Sequence, residues 1–101
     1  MGIRYTLGDN GKRAVISVSG RFDFAQQRAF RDAYRDLPSG HMNYVVDLKG
    51  VTYVDSAALG MLLLLREHAG GDDARVRITG CTPEVRRVLD IANFPRLFDI
   101  D

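Results

Sequence analysis

Cysteine and histidine are scarce in this sequence. The lone cysteine, Cys81, has no partner for an internal disulfide, and a reducing compartment is the default for such a chain. The two histidines, His41 and His68, stand alone and have no metal-ligand spacing with the cysteine. We therefore expect a cytoplasmic protein with no metal site and no cofactor.

Long apolar runs and an excess of charge of one sign are also missing. The longest apolar stretch covers residues 57–65, about half of what a helix needs to cross a bilayer, and no apolar segment typical of a secretory signal opens the sequence. The 14 basic and 13 acidic side chains give a net charge of +1, and the arginines are scattered. We expect neither membrane insertion nor nucleic-acid binding.

Hydrophobic periodicity divides the 101 residues into strands and helices. Apolar residues alternate with polar ones on both sides of the turn-forming residues 8–11, which predicts a β-hairpin ending at Gly20. From residue 25 to residue 37 the period becomes helical, with Asp23 as the cap and Pro38-Ser39-Gly40 as the stop. His41 falls in the loop that follows.

The second half of the sequence continues the alternation of strands and helices. It predicts a strand buried on both faces (44–48), a loop (49–55) with a short extended piece (51–54), a helix (56–69), a strand (75–79), a helix opened by Thr82 and Pro83, and a last short strand (97–100). Strand–helix–strand connections of this length make parallel pairs. We therefore predict one α/β domain over residues 1–101, with a mixed sheet.

The segment Val54-Asp55-Ser56-Ala57-Ala58-Leu59-Gly60 places Ser56 at the start of the second predicted helix. Asp55 or Ser56 could serve only as the N-cap, or the helix N-terminus could hold an anion on Ser56. A serine hydrolase is disfavoured, because the flanking residues Asp55 and Ala57 fit the strained turn of a nucleophile elbow poorly and His68 is three turns away. We expect no enzymatic activity.

The second helix is apolar nearly all round. Such a helix is either fully buried or carries a docking surface, and Leu59 and Leu63 lie off the predicted core stripe. The segment Gly20-Arg21-Phe22-Asp23 ends a neighbouring strand at the same sheet edge. Asp23 is thus either a cap alone or a second carboxylate beside Ser56.

These residues resemble the STAS family, which includes bacterial anti-sigma factor antagonists. The resemblance covers nearly the whole chain and rests on Gly20-Arg21-Phe22-Asp23, the strand 44–48, the segment from Val54 to Gly60, and Pro83-Glu84-Val85-Arg86-Arg87-Val88-Leu89. It implies the STAS fold, a mixed sheet of four or five strands with helices packed mainly on one side. The similarity is greatest to small free-standing STAS proteins whose partners are response-regulator kinases and phosphatases.

The resemblance also implies a function in transcription regulation. In this family the antagonist binds an anti-sigma factor that is often a serine kinase, is released when that kinase phosphorylates it at the start of the second helix, and is reset by a PP2C-type phosphatase. It implies a phosphoprotein, a monomer or weak dimer, with Ser56 as the acceptor supported by Asp23 and Asp55. The implied partner-binding residues are Phe22, Ala57, Leu59, Gly60 and Leu63.

The sequence departs from the family motif Asp-Ser-Ser/Thr-Gly-Leu-Gly at two positions. Ala57 replaces the second hydroxyl, which is often the acceptor, and Ala58 replaces the glycine. Either Ser56 has become the acceptor, which we favour because it is the only hydroxyl left, or the protein is not phosphorylated. The alternatives are a STAS subunit of a lipid-transport ABC complex, which needs no phosphoserine, and a small serine hydrolase.

Overall fold

In the part of the chain that the structure describes, five strands and three α-helices follow one another in the order ββαβαβαβ. The computed structural model describes residues 2–37 and 42–101. The strands are β1 (Gly2–Gly8), β2 (Arg13–Phe22), β3 (Asn43–Val54), β4 (Arg75–Thr79) and β5 (Asp99–Ile100), and the helices are α1 (Gln27–Tyr34), α2 (Ser56–Ala69) and α3 (Pro83–Ile91). The predicted helix stop at Pro38-Ser39-Gly40 and the loop placement of His41 lie outside the described residues.

The strands form one mixed sheet in the order β1-β2-β3-β4-β5. The first two strands pair antiparallel, and every later neighbour pairs parallel. Each connection between parallel strands therefore leads to the next strand in the same direction across the sheet. Right-handed crossovers then put all three helices on the same face. This arrangement confirms the predicted mixed α/β sheet with helices on one side.

The core lies between that face and the helices. Along β2 the inward residues Ala14, Ile16 and Val18 are buried, whereas the residues between them are partly exposed. Along β3 the inward side chains of Tyr44, Val46 and Leu48 are buried, but Val45 and Asp47 are only half-buried. The prediction that this strand is buried on both faces was wrong, because no helix packs on the second face in the described part of the chain.

Strand β3 is also longer than predicted, since the expected loop over residues 49–55 continues the strand to Val54. Its pairing with β2 is irregular in two places, between Ser17 and Ser19 and between Gly20 and Arg21. Gly50 lies against Ser19, where an added Cβ would come within 2.9 Å of the serine Cβ. The absence of a side chain at Gly50 therefore permits close contact between the two strands.

The helix boundaries follow their capping residues. Helices α2 and α3 begin at the predicted residues, and α2 ends before Gly70 as expected. The first helix is shorter than predicted, because the residues after Asp23 form a 3-10 turn, Phe24–Gln26, before α1 starts. No helix within residues 2–37 and 42–101 combines the length and the apolar character that crossing a membrane requires.

Candidate functional site

The carboxyl ends of two neighbouring strands and the two helical turns that follow them meet at one end of the sheet. Phe22 and Val54 are register partners at the ends of β2 and β3, so Asp23 and Asp55 leave the sheet at the same level. Each carboxylate caps the turn that follows it. Asp23 accepts a hydrogen bond from the Ala25 amide at 3.1 Å, and Asp55 accepts one from the Ala58 amide at 2.9 Å.

Asp55 also connects the two turns. Its second carboxylate oxygen, Oδ2, accepts a hydrogen bond from the Phe24 amide at 3.4 Å, while Oδ1 holds the first turn of α2. The N-cap is therefore Asp55, and Ser56 is the first residue of α2. Ser56 is exposed, and within the described residues its hydroxyl has no hydrogen-bond partner. The sequence left the cap open between these two residues, and the structure assigns it to Asp55.

The electrostatics of this end of the sheet are mixed. The N-terminal end of α2 carries a partial positive charge and unpaired amides, which favour an anion. Arg21 lies beside it, with its guanidinium 3.5 Å from Asp23 and 3.9 Å from the centre of the Tyr53 ring. Against these stand the carboxylates of Asp23 and Asp55, both only partly exposed. A phosphate on Ser56 would thus meet attraction from the helix and repulsion from two acids.

Helix α2 presents one face to the core and the opposite face to the surface. Its buried residues are Ala58, Met61, Leu62, Leu65 and Ala69. The opposite face carries Ser56, Gly60, Leu63 and Glu67, spaced at i, i+4, i+7 and i+11. Leu63 is 38% exposed and Leu59 is partly buried beside it. Of the two leucines that lie off the predicted core stripe, Leu59 is thus partly covered and Leu63 is at the surface.

The structure corrects one predicted surface residue. Phe22 is 0% exposed, and its ring packs 5.2 Å from that of Phe30. It follows Val18 and Gly20 in the inward alternation of β2, so its side chain belongs to the core and is not available to a partner. Phe24, two residues further on, is 68% exposed. The sequence signal for Phe24 was its place just after the cap Asp23, where the chain leaves the sheet.

The remaining predicted residues lie along α2. Ala57 and Gly60 are half-buried, whereas Ala58, which replaces the family glycine, is fully buried. A Cβ added at Gly60 would meet nothing within 4 Å. No steric feature of the described fold therefore requires glycine at this helical position.

The histidine of α2 is far from Ser56. Twelve residues separate His68 from Ser56, about 18 Å along the helix axis. The His68 ring lies 5.0 Å from the Tyr34 ring, and its Nε2 is 2.8 Å from the Leu37 carbonyl oxygen. It is held between aromatic rings and cannot serve Ser56 as a general base. In residues 2–37 and 42–101 no three metal-ligating side chains gather into a potential metal site.

Comparison with known proteins identifies the family. A family model described as "Mlab, STAS domain" matches residues 5–99. A STAS-domain containing protein of Pseudomonas aeruginosa (strain UCBPP-PA14) is 52% identical over 91 residues, 90% of each chain.

Solved structures agree with this match at the level of the fold. An anti-sigma factor antagonist from Mycobacterium paratuberculosis is 24% identical with a TM-score of 0.74, covering 98% of this chain and 85% of that one. The Bacillus cell fate determinant SpoIIAA in its phosphorylated form is 12% identical with a TM-score of 0.67, covering 99% and 91%. A sulfate transporter family protein from Wolinella succinogenes is 14% identical with a TM-score of 0.68, covering 94% and 81%. The chain belongs to the STAS family, with the fold of the anti-sigma factor antagonists.

Proposed function

We propose that this protein is an anti-sigma factor antagonist that binds an anti-sigma factor with serine kinase activity and is released when Ser56 is phosphorylated. A PP2C-type phosphatase resets it. The protein acts by binding and catalyses no reaction itself. The observation that carries the proposal is the division of labour at the start of α2, where Asp55 caps the helix and the exposed Ser56 hydroxyl has no structural task within the described residues.

The partner surface surrounds this serine. It comprises Ser56, Ala57, Leu59, Gly60 and Leu63 on α2, together with Phe24 at the neighbouring turn, and we call it the serine surface. The exposed ring of Phe24 and the exposed side chain of Leu63 are apolar groups that a partner would bury. The hydrogen bond from the Phe24 amide to Asp55 fixes this turn beside the serine. Phosphorylation would therefore alter the charge in the middle of the interface.

The physics of the switch follows from where the phosphate would lie. A phosphoserine adds close to two negative charges. The N-terminus of α2 stabilises them by about 0.3–1 kcal/mol, and repulsion from Asp23 and Asp55 offsets part of that gain, so the fold tolerates the group. A partner that packs apolar groups on the serine surface would have to desolvate a dianion. That penalty, a few kcal/mol, corresponds to roughly a hundredfold loss of affinity.

Binding measurements on two variants test the proposal. The anti-sigma partner is recovered with tagged protein, purified, and titrated by calorimetry with wild type, Ser56→Ala and Ser56→Asp. We expect Ser56→Ala to bind like wild type and Ser56→Asp to bind at least about tenfold more weakly. Thermal melts serve as the control, and both variants should unfold within a few degrees of wild type, because Ser56 caps nothing.

Three results would contradict the proposal. Equal affinities of Ser56→Ala and Ser56→Asp would show that charge at this position does not control binding. Recovery of an ABC ATPase in place of an anti-sigma factor would identify the domain as a structural subunit of a transport complex. Ester hydrolysis that disappears in Ser56→Ala would instead establish an enzyme.

A further inference from the structure

A groove runs between α1 and α2, away from the outward stripe of α2 that carries Ser56. It encloses about 450 Å³, which is within the range of ligand-binding clefts. Its floor is formed by Phe30, Tyr34 and Met61, all buried. Leu64 stands at its edge with 57% of its surface exposed. Beside this buried floor, the side chain of Leu64 is left without a covering element in the described part of the chain.

The α1 side of this groove is basic. Arg31 and Arg35 line it, and Arg28 and Asp32 lie on the adjacent outer side of the same helix. Arg35 forms exposed ion pairs with Asp32 at 3.1 Å and with Asp36 at 3.6 Å, pairs that contribute little and exchange easily. Arg28 and Arg31 have no acidic side chain within 4 Å among the described residues. In residues 2–37 and 42–101 no acidic side chain lines the groove itself, so Arg31 and Arg35 make its α1 side positively charged.

The guanidinium of Arg31 acts on the hydroxyl of Tyr34, which is part of the floor. Burial raises the pKa of the Tyr34 hydroxyl, and the charge of Arg31 opposes that rise. The guanidinium of Arg31 is thus close enough to Tyr34 for its field to act on the apolar floor. A ligand in this groove would contact apolar side chains at the floor and the positive charge of the α1 side.

We propose that this groove binds an acidic amphipathic helix of a protein partner, at a surface distinct from the serine surface. The spacing of the arginines selects this occupant. Arg28, Arg31 and Arg35 follow each other at i, i+3 and i+7 and extend over about 10 Å along α1. A helix laid beside α1 repeats its acidic residues at the same intervals and can pair with each arginine while its apolar stripe covers Leu64 and the floor.

Two other occupants fit the groove less well. A single-chain anionic amphiphile carries one charged head, which cannot serve a row of arginines about 10 Å long. A second copy of this chain, related by a two-fold axis, would bring a second set of the same arginines to the interface, with only Asp32 and Asp36, in and just after α1, to pair with them. The charge pattern therefore favours a partner with repeated negative charges.

Two stapled helical peptides with the same apolar stripe test this inference, one with glutamates and one with lysines at the flanking positions. Each is titrated into the isotopically labelled full-length protein by NMR. We expect the glutamate peptide to shift the amide resonances of Arg31, Leu64 and His68, to bind at least about tenfold more tightly than the lysine peptide, and to weaken as salt is added. Ser56→Asp should bind the same peptide like wild type, which separates this test from that of the proposed function.

Variants locate the binding on the protein. Arg31→Glu and Leu64→Glu change exposed or rim positions and should each reduce the affinity for the glutamate peptide about tenfold or more. Arg87→Glu, an exposed arginine of α3, is the matched control and should leave the affinity unchanged. Thermal melts establish that every variant is folded.

Several outcomes would overturn the inference. These are equal binding of both peptides, resonance shifts confined to the serine surface, and an affinity that Arg31→Glu does not change. Binding of sodium dodecanoate in the groove without binding of the peptide would identify an amphiphile site. Resonance shifts that depend only on protein concentration would identify a second copy as the occupant.

Discussion

At the scale of single residues, the site depends on which side chain performs which task. Asp55 accepts hydrogen bonds from the Ala58 amide and the Phe24 amide, and a cap of this kind contributes about 1 kcal/mol. Because the aspartate is the cap, Ser56 can gain or lose a charge without uncapping α2. The two phenylalanines beside Asp23 also differ, since Phe22 is buried in the core and Phe24 is exposed.

The two phenylalanines give a matched pair of variants. Phe24→Ala should change the free energy of unfolding by no more than about 0.5 kcal/mol, because its ring is exposed, but should weaken binding of the anti-sigma partner about tenfold or more. Phe22→Ala should cost about 3–5 kcal/mol of stability through the cavity left beside Phe30. Urea denaturation and calorimetry measure the two effects. Unchanged binding in Phe24→Ala would remove this residue from the serine surface.

At the scale of elements, helix α2 contributes one face to the core and the opposite face to the protein surface. Its buried residues pack on the sheet, whereas Gly60 and Leu63 lie on the outward face with Ser56. Glycine in a helix interior costs about 0.5–1 kcal/mol relative to alanine. Nothing in the described fold approaches the Gly60 Cβ position, so no contact within the fold requires glycine there. In the proposed function, close approach of a partner would require it.

Gly60→Ala therefore has opposite expected effects on folding and on binding. The variant should be more stable by about 0.5–1 kcal/mol in urea denaturation, because the helix gains a residue of higher propensity. Its affinity for the anti-sigma partner should fall, because the added methyl group separates the two surfaces. Ala57→Gly is the control. It should lower the stability of the helix, and it adds no atoms to the surface. A stabilised Gly60→Ala that binds like wild type would show that the partner does not pack against this position.

The sequence predicted the elements well where local signals agreed. Asp55 before α2, Gly70 after it, and Thr82 with Pro83 before α3 place the helix boundaries correctly, because capping is a local interaction. The extended piece at residues 51–54 was predicted, but its continuity with the strand before it was not. The surrounding residues 49–55 read as a loop, whereas pairing with β2 keeps them in the same strand up to Val54. The burial of Phe22 was missed for a related reason, since the inward alternation of β2 passes through Gly20 and loses its apolar signal there.

At the scale of the whole molecule, the sheet brings the parts of the site together. Strands β2 and β3 pair up to Phe22 and Val54, whereas β3 pairs with β4 only as far as Asp47 and Thr79. The two long strands thus carry Asp23, Phe24 and Ser56 to one end of the molecule. Residues more than thirty positions apart in the sequence become neighbours there, and that proximity could be inferred only in outline from the strand order.

The most direct test of the account is phosphorylation of the protein itself. The purified chain is incubated with its kinase partner and ATP, the modified residue is located by mass spectrometry, and the affinity of the modified protein for that partner is measured beside unmodified protein and Ser56→Ala. We expect phosphate on Ser56, none on Ser56→Ala, and a roughly hundredfold loss of affinity with the fold retained. Phosphate on another hydroxyl, or an unchanged affinity of the Ser56-phosphorylated protein, would contradict it.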